Sequence, residues 1–304
     1  MRTYLDCVPC FVRQAIDAAR MVTDDPRIHE RVLRETLKLA AAMSFDQCPP
    51  AMGARIHRVL RAETKNADPY LTAKQTANAH ALEMMPALRQ RVLAADDSLA
   101  VAARLAIAGN IIDLGCKSAI SADEIEAAID RALKEPLGAN SVAEFREAID
   151  AAGEILYLAD NAGEIVLDRL LVEQLPREKT TLAVRGRPVI NDALRADAEY
   201  AGLTELVPVI DNGDDVPGTN PATCSPDFRQ RFESADLIIA KGQGNYETLS
   251  EEPRNIWFLL QAKCPVIATH IGCEIGSALL LRSPHSKSKQ SPAAPALTSE
   301  GVEE

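Results

Sequence analysis

Two hydrophobic periodicities divide this chain. From its start to about residue 150, apolar positions recur at helical spacing among many Ala, Leu, Arg and Glu residues. Helices are predicted from Pro9 to Arg20, from His29 to Met43 and from Gly53 to Arg61. Asp68-Pro69-Tyr70 then breaks the chain and opens a long helical stretch at Leu71, because proline is tolerated in a first turn but not in a helix interior. Ser98 to Ile112 is apolar on nearly every side, which predicts a helix buried on several faces. Ser121-Ala122-Asp123-Glu124 has the form of a capping box before the helix IEAAIDRALK.

The pattern changes near Glu154. Short apolar runs now alternate with helical segments: EILYLA, then Ile165 to Leu175; TTLAV, then Ala193 to Ala201; ELVPVI, then Asp227 to Phe232; DLIIA, then a helix over Ile256 to Ala262; and PVIAT as the last strand. This alternation predicts an α/β fold, a mainly parallel sheet sandwiched by helices in three αβα layers, preceded by an N-terminal all-helical domain. The division expected is a helical domain over 1–150 that covers the site, an α/β metal- and phosphate-binding domain over 151–282, and a tail over 283–304. The tail is too poor in large apolar residues to fold and is expected to be disordered. Strand order and oligomeric state are not legible, and no repeat of fixed period occurs.

Composition narrows the function. The 304 residues include 33 basic and 44 acidic side chains, a net charge of −11 that disfavours a nucleic acid or an anionic membrane as partner. No apolar run approaches the roughly 20 residues of a membrane-spanning helix, and MRTYLDCVPC lacks the apolar core of a signal peptide. Seven scattered cysteines suggest reduced thiols, so a cytoplasmic protein is expected.

The ends of the predicted strands carry the candidate chemistry. After the first come Asp160, Asn161 and Glu164; after the second, Arg185-Gly186-Arg187-Pro188 and then Asn191-Asp192; after the third, Asp211-Asn212; after the fourth, Lys241-Gly242-Gln243-Gly244-Asn245. Parallel strands would bring these to one sheet edge. Carboxylate and amide oxygens suit a hard divalent ion, while Arg, Lys and glycine N–H groups suit a phosphate. Plainer readings stand beside these. Asp160, Asn161 and Asp192 are also good helix caps, Arg185 and Lys241 are also ordinary solvated charges, and Asp211-Asn212-Gly213 reads as a turn. The loop from Asn212 to Ser225 is either a structural connection or a substrate lid. Cys7-Val-Pro-Cys10 falls at a helix start and reads as structural, and no fourth ligand at zinc spacing accompanies it. His270, at the end of the last predicted strand, is a possible lining residue, and His285 falls in the tail.

The segments DNAGE at 160–164, RGRPVINDA at 185–193 and KGQGNYETL at 241–249 resemble the damage-control phosphatase family of metal-dependent phosphatases, formerly a domain of unknown function. Cys7-x-x-Cys10 with Arg13-Gln14, Asp68-Pro69-Tyr70 with Lys74 and Asn78, the run from Ala108 to Asp113, and Lys263-Cys264-Pro265 resemble its smaller prokaryotic and archaeal branch. The similarity covers residues 3 to 281. It implies a divalent metal (Mn, Co, Ni or Mg) on Asp160, Asn161 and Asp192, and a small phosphorylated metabolite as substrate. On that reading a phosphate is held by Arg185, Lys241, Gly242, Gly244 and Asn245, the last orienting the phosphate or a metal-bound water, and the catalytic groups are Lys241, Arg185 and Glu164, with Glu164 either a general base or an outer partner of the metal ligands. The implied reaction is hydrolysis of phosphomonoesters such as sugar phosphates, phosphopantetheine-like compounds or damaged metabolites. Two alternatives remain: an S-adenosylmethionine-dependent carboxyl methyltransferase, which some relatives suggest, and a binder of an anionic metabolite without turnover. DNAGE is not the glycine-rich turn that S-adenosylmethionine usually needs, and a simple binder has little use for the acidic triad.

Overall fold

The computed structural model describes residues 1–111, 122–134, 137–139 and 142–285. Helices α1 (Cys7–Val22), α2 (Pro26–Ala42), α3 (Pro49–Thr64), α4 (Leu71–Leu93), α5 (Ser98–Ile111) and α6 (Ala122–Lys134) come first. A two-residue strand β1 (Gly138–Ala139) and helix α7 (Val142–Ala151) follow. The alternating part then runs β2 (Ile155–Leu158), α8 (Glu164–Val172), β3 (Thr180–Val184), α9 (Arg195–Tyr200), β4 (Val209–Asp211), α10 (Pro226–Ser234) and β5 (Leu237–Lys241). It ends with α11 (Gly242–Leu249), β6 (Ile256–Gln261), α12 (Pro265–Ile271) and β7 (Ala278–Arg282).

Among the described residues, seven strands form one sheet in the order β1-β7-β6-β5-β2-β3-β4. Strands β2 to β6 are mutually parallel, and β7 runs antiparallel to β6. The three-layer expectation therefore holds. Successive strand side chains point to opposite faces, so Ile155 and Tyr157 join an apolar core with α4 to α9, whereas Leu156 and Leu158 join a second core with α10, α11 and α12. Both faces are buried, which is why these strands read as unbroken apolar runs. The first 150 residues contribute to all three cores: α1 to α3 enclose Phe11, Met52, Ile56 and Leu60, α4 to α7 pack on one face of the sheet, and Met1 joins the core on the other face.

Two predicted elements are exchanged. Ile256 to Ala262, expected as a helix, is strand β6, and PVIAT, expected as a strand, opens helix α12. IWFLLQ is apolar at almost every position, so it carries no period to separate a buried strand from a buried helix. At Cys264-Pro265 the proline occupies the first helical turn, and Gly272, at φ +81°, closes the helix in the left-handed region. Strand β7 and helix α11 were not anticipated, and ELVPVI pairs only from Val209. Ser121, Ile112, Asp113 and the tail beyond residue 285 lie outside the described residues.

The connectivity creates one switch point. From β2 the chain moves outward to β3 and β4, then returns to the other side of β2 as β5 and continues to β6. The carboxyl ends of β2 and β5 therefore flank the crevice where open α/β sheets place ligands.

Candidate functional site

Two short backbone pairings build the site from the loops after β2 and β3. Ala162 N–H donates to Asn191 O at 2.8 Å, and Ala193 N–H donates to Asp160 O at 2.8 Å. These close an antiparallel bridge between Asn161 and Asp192. Asp160, Asn161 and Asp192 thus stand together, although 31 or 32 positions separate the first two from the third in sequence. Helix α4 closes over the loop: Gly163 N–H donates to Asn78 Oδ1 at 2.6 Å, and Asn78 Nδ2 donates to Asp197 Oδ1 at 2.7 Å. Gly163 has φ +78°, and a Cβ there would meet the Cβ of Ala77 at 2.9 Å. A glycine is required for both reasons.

Arg185 leaves the end of β3 and is buried. Its Nε donates to Asp192 Oδ2 at 2.7 Å, and its other nitrogens reach Thr219 Oγ1, Ala159 O and Asn245 Oδ1 at 3.3, 3.3 and 3.5 Å. Asn245 in turn donates to Lys241 O at 2.7 Å and accepts from Thr219 Oγ1 at 2.8 Å. At the end of β5, Lys241 is wholly buried. Its Nζ donates to Ala106 O at 2.8 Å, Glu164 Oε1 at 2.6 Å and Asp168 Oδ1 at 2.6 Å. The three ammonium protons are all spent on the protein. Gly242 follows at φ +78°, and a Cβ on it would overlap the Asp160 carboxylate. That overlap explains the glycine directly after the lysine.

The predicted ligands and cations are therefore gathered into one network, with the cations turned toward protein carboxylates. Asp168, Thr219, Asn78 and Asp197 belong to it and were not predicted as site residues. Asp168 lies four residues after Glu164 in the apolar run EIVLDRLLV, and an acid on that buried stripe was the available signal. Asn212 is part of a turn, accepting from Gly186 N and Asp214 N at 3.0 Å each. The following loop to Ser225 is largely buried, and Asp215 pairs with Arg58 and Arg61 of α3. His270 lies on α12 with Nδ1 2.8 Å from the Tyr246 hydroxyl, outside this network. Cys7 and Cys10 are free thiols whose pKa burial raises.

Charge defines the character of the site. Asp160, Glu164, Asp168, Asp192 and Asp197 supply five buried carboxylates to the described network against the two buried cations Lys241 and Arg185, with the exposed Lys263 adding positive charge near Asp160. Burial, then the neighbouring Glu164 and Asp192, push the Asp160 pKa well above its usual range. Burial also raises Asp192, opposed by Arg185. Asp168 is pushed up to about 7 by burial, with Lys241 pulling the other way. Burial disfavours the Lys241 ammonium, but Asp168 and Glu164 outweigh it and hold its pKa above the ordinary value.

A surplus of buried carboxyl groups, whose proton affinity is raised by burial, and the accompanying oxygen donors fit a hard divalent cation. Among the described residues no three His, Cys, Asp or Glu side chains form a ligating group by themselves. The set on offer is two carboxylates and one amide. Asn161 Nδ2 donates to Asp160 Oδ2 at 2.9 Å and to Glu164 Oε2 at 3.1 Å, which turns its amide oxygen away from those acids. A groove of about 900 Å³ lies elsewhere, between α10 and the β2 to β4 surface, lined by Thr181, Ile210, Phe228 and Arg231 among others. Asp211 lines it, but none of the expected metal ligands or phosphate-binding residues does.

A doubly wound α/β sheet with an acidic crevice at its switch point defines the class of protein. The profile of the damage-control phosphatase ARMT1-like domain matches residues 3–279, and the chain belongs to that family. An uncharacterized protein of Methanocaldococcus jannaschii is 36% identical over 288 residues, covering 91% of this chain and 94% of its own length. Damage-control phosphatase PH1575 of Pyrococcus horikoshii is 33% identical, with 93% and 99% covered, and a damage-control phosphatase of Archaeoglobus fulgidus is 34% identical, with 89% and 95% covered. The crystal structure of PH1575, described as a DUF89 family protein, superposes with a TM-score of 0.86 at 32% identity, over 93% of this chain and 99% of that one. Membership supports a phosphatase role. No helix among the described residues is long and apolar enough to cross a membrane.

Proposed function

We propose that this protein is a divalent-metal-dependent phosphatase, acting in the cytoplasm on phosphomonoesters of small metabolites such as sugar phosphates, phosphopantetheine-like compounds or their damaged forms. The observation that supports the reading is the imbalance of five buried carboxylates, Asp160, Glu164, Asp168, Asp192 and Asp197, against the two buried cations Lys241 and Arg185 beside the switch point. Asp160, Asn161 and Asp192 would hold Mn²⁺, Co²⁺, Ni²⁺ or Mg²⁺. Such an ion supplies Lewis acidity and lowers the pKa of bound water.

The chain's own groups divide the remaining tasks. Arg185 fixes Asp192 through its Nε and offers positive charge to a phosphate from the same guanidinium. The first turn of α11, from Gly242 to Gly244, contributes backbone N–H donors to phosphate oxygens. Asn245 ties that turn to the β2 end through Ala159 O at 3.3 Å. Glu164, paired with Lys241 and adjacent to Asn161, is the proton acceptor of the reading. Lys241 works through Glu164, because its protons are already engaged.

Calorimetric Mn²⁺ binding to Asp160→Ala and Asp192→Ala tests the ligand assignment. Both variants should fold and lose measurable Mn²⁺ binding. Wild-type affinity in either one removes that residue from the ligand set.

A further inference from the structure

Asp168 is buried on α8, accepts from Lys241, and has no task in the reaction as proposed. It nevertheless begins a continuous chain of polar contacts. Its Oδ1 accepts from Lys241 Nζ at 2.6 Å, and Lys241 Nζ donates to Glu164 Oε1 at 2.6 Å. Glu164 Oε2 then accepts from Asn161 Nδ2 at 3.1 Å. An amide has chemically different ends, and only its oxygen can ligate a cation. Which end faces the crevice is decided by the acids that take the NH₂ group, and Glu164 is one of the two.

Lys241 is one of the groups that hold Glu164 in that place. An ammonium has three donors, and here they span Ala106 of α5, Glu164 and Asp168 of α8 from the end of β5. Gly109 permits this close approach of α5 and α8, since a Cβ there would meet Glu164 Cγ at 3.2 Å. Removing Asp168 frees one donor and one compensating charge, and Lys241 can then follow Glu164 into other arrangements.

We propose that Asp168 is a positioning residue: it anchors Lys241, Lys241 anchors Glu164, and Glu164 turns the Asn161 amide oxygen toward the bound cation. The inference rests on the metal reading above and adds the outer partners that set a ligand's orientation. Outer partners of metal ligands commonly control affinity by about 10- to 100-fold.

The probe is Mn²⁺ alone, measured by titration calorimetry on the full chain, with circular dichroism confirming the fold. Asp168→Asn, nearly isosteric, should weaken Mn²⁺ binding by about 10-fold or more. Lys241→Met should weaken it by a similar factor, and adding Asp168→Asn to Lys241→Met should change affinity by no more than about twofold, because the two act in series. Wild-type Mn²⁺ affinity in folded Asp168→Asn overturns the proposal. So does a Lys241→Met protein that keeps Mn²⁺ affinity and loses only inorganic phosphate binding, and this second arm decides the matter if Asp168→Asn does not fold. Absence of Mn²⁺ binding by the unaltered protein would instead overturn the metal reading itself.

Discussion

Replacing Gly242 by alanine separates the cost of a backbone conformation from the cost of disturbing the site. Gly242 has φ +78° and Gly272 has φ +81°, so an alanine at either carries a similar left-handed penalty of about 1–2 kcal/mol. Their surroundings differ. Around Gly272 a Cβ meets nothing within 4 Å, whereas at Gly242 it would overlap the Asp160 carboxylate and approach the Asp160 Cβ at 2.9 Å. Asp160 is buried and cannot swing into solvent without breaking its 2.9 Å hydrogen bond from Asn161, and leaving a buried polar group unpaired costs about 1–3 kcal/mol. Gly242→Ala should therefore cost about 2–5 kcal/mol and Gly272→Ala about 1–2 kcal/mol. Urea unfolding of both variants and the parent at neutral pH measures the difference. Phosphate release from an aryl phosphate should fall strongly in Gly242→Ala and stay near the parent's in Gly272→Ala. Equal destabilisation by the two alanines, or full activity in Gly242→Ala, would refute the close packing of Gly242 against Asp160.

Two further perturbations probe the helices that hold the loops. His57 is buried against the edge of Tyr70, its Nε2 has no hydrogen-bond partner among the described residues, and burial with the nearby Arg61 charge lowers its pKa to about 3. Its contribution to stability is present above its unfolded pKa of about 6.5 and drains as pH falls toward 3, at about 1.4 kcal/mol per pH unit. His57→Phe should accordingly lose about 2 kcal/mol less than the parent between pH 6.5 and 5 in urea titrations; parallel pH profiles would show that His57 is not buried neutral. Asp215→Ala strands Arg61, which also donates to Pro188 O at 2.7 Å, and should cost about 2–4 kcal/mol, discounted because Arg58 is half exposed. A loss under about 1 kcal/mol in the same assay would reduce these contacts to surface ion pairs.

The legible parts of the chain were those where a local pattern and its tertiary use coincide. EILYLA followed by DNAGE reads as a strand end because the apolar run stops abruptly at polar residues, and β2 does end there. RGRPVINDA and KGQGNYETL announce their polar groups in the same way. What stayed hidden was pairing over long distance. Nothing local says that Lys241 meets Glu164 and Asp168, 77 and 73 positions earlier, so it read as a cation open to a phosphate. The loop after Asn212 read equally as a lid or a connection until Arg58 and Arg61, more than 150 positions before it, appeared on Asp215. The exchange of β6 and α12 has a local cause. Five consecutive apolar residues have no period, and the proline and glycine that bracket α12 carry more information than its apolar middle.

The central claim is that the acidic strand-end cluster does metal-dependent phosphate chemistry. Its most direct test is phosphate release from a generic aryl phosphate by one protein sample, stripped with a chelator and then supplied with Mn²⁺. Hydrolysis should disappear on stripping and return with the ion. Full hydrolysis by the stripped protein would contradict it.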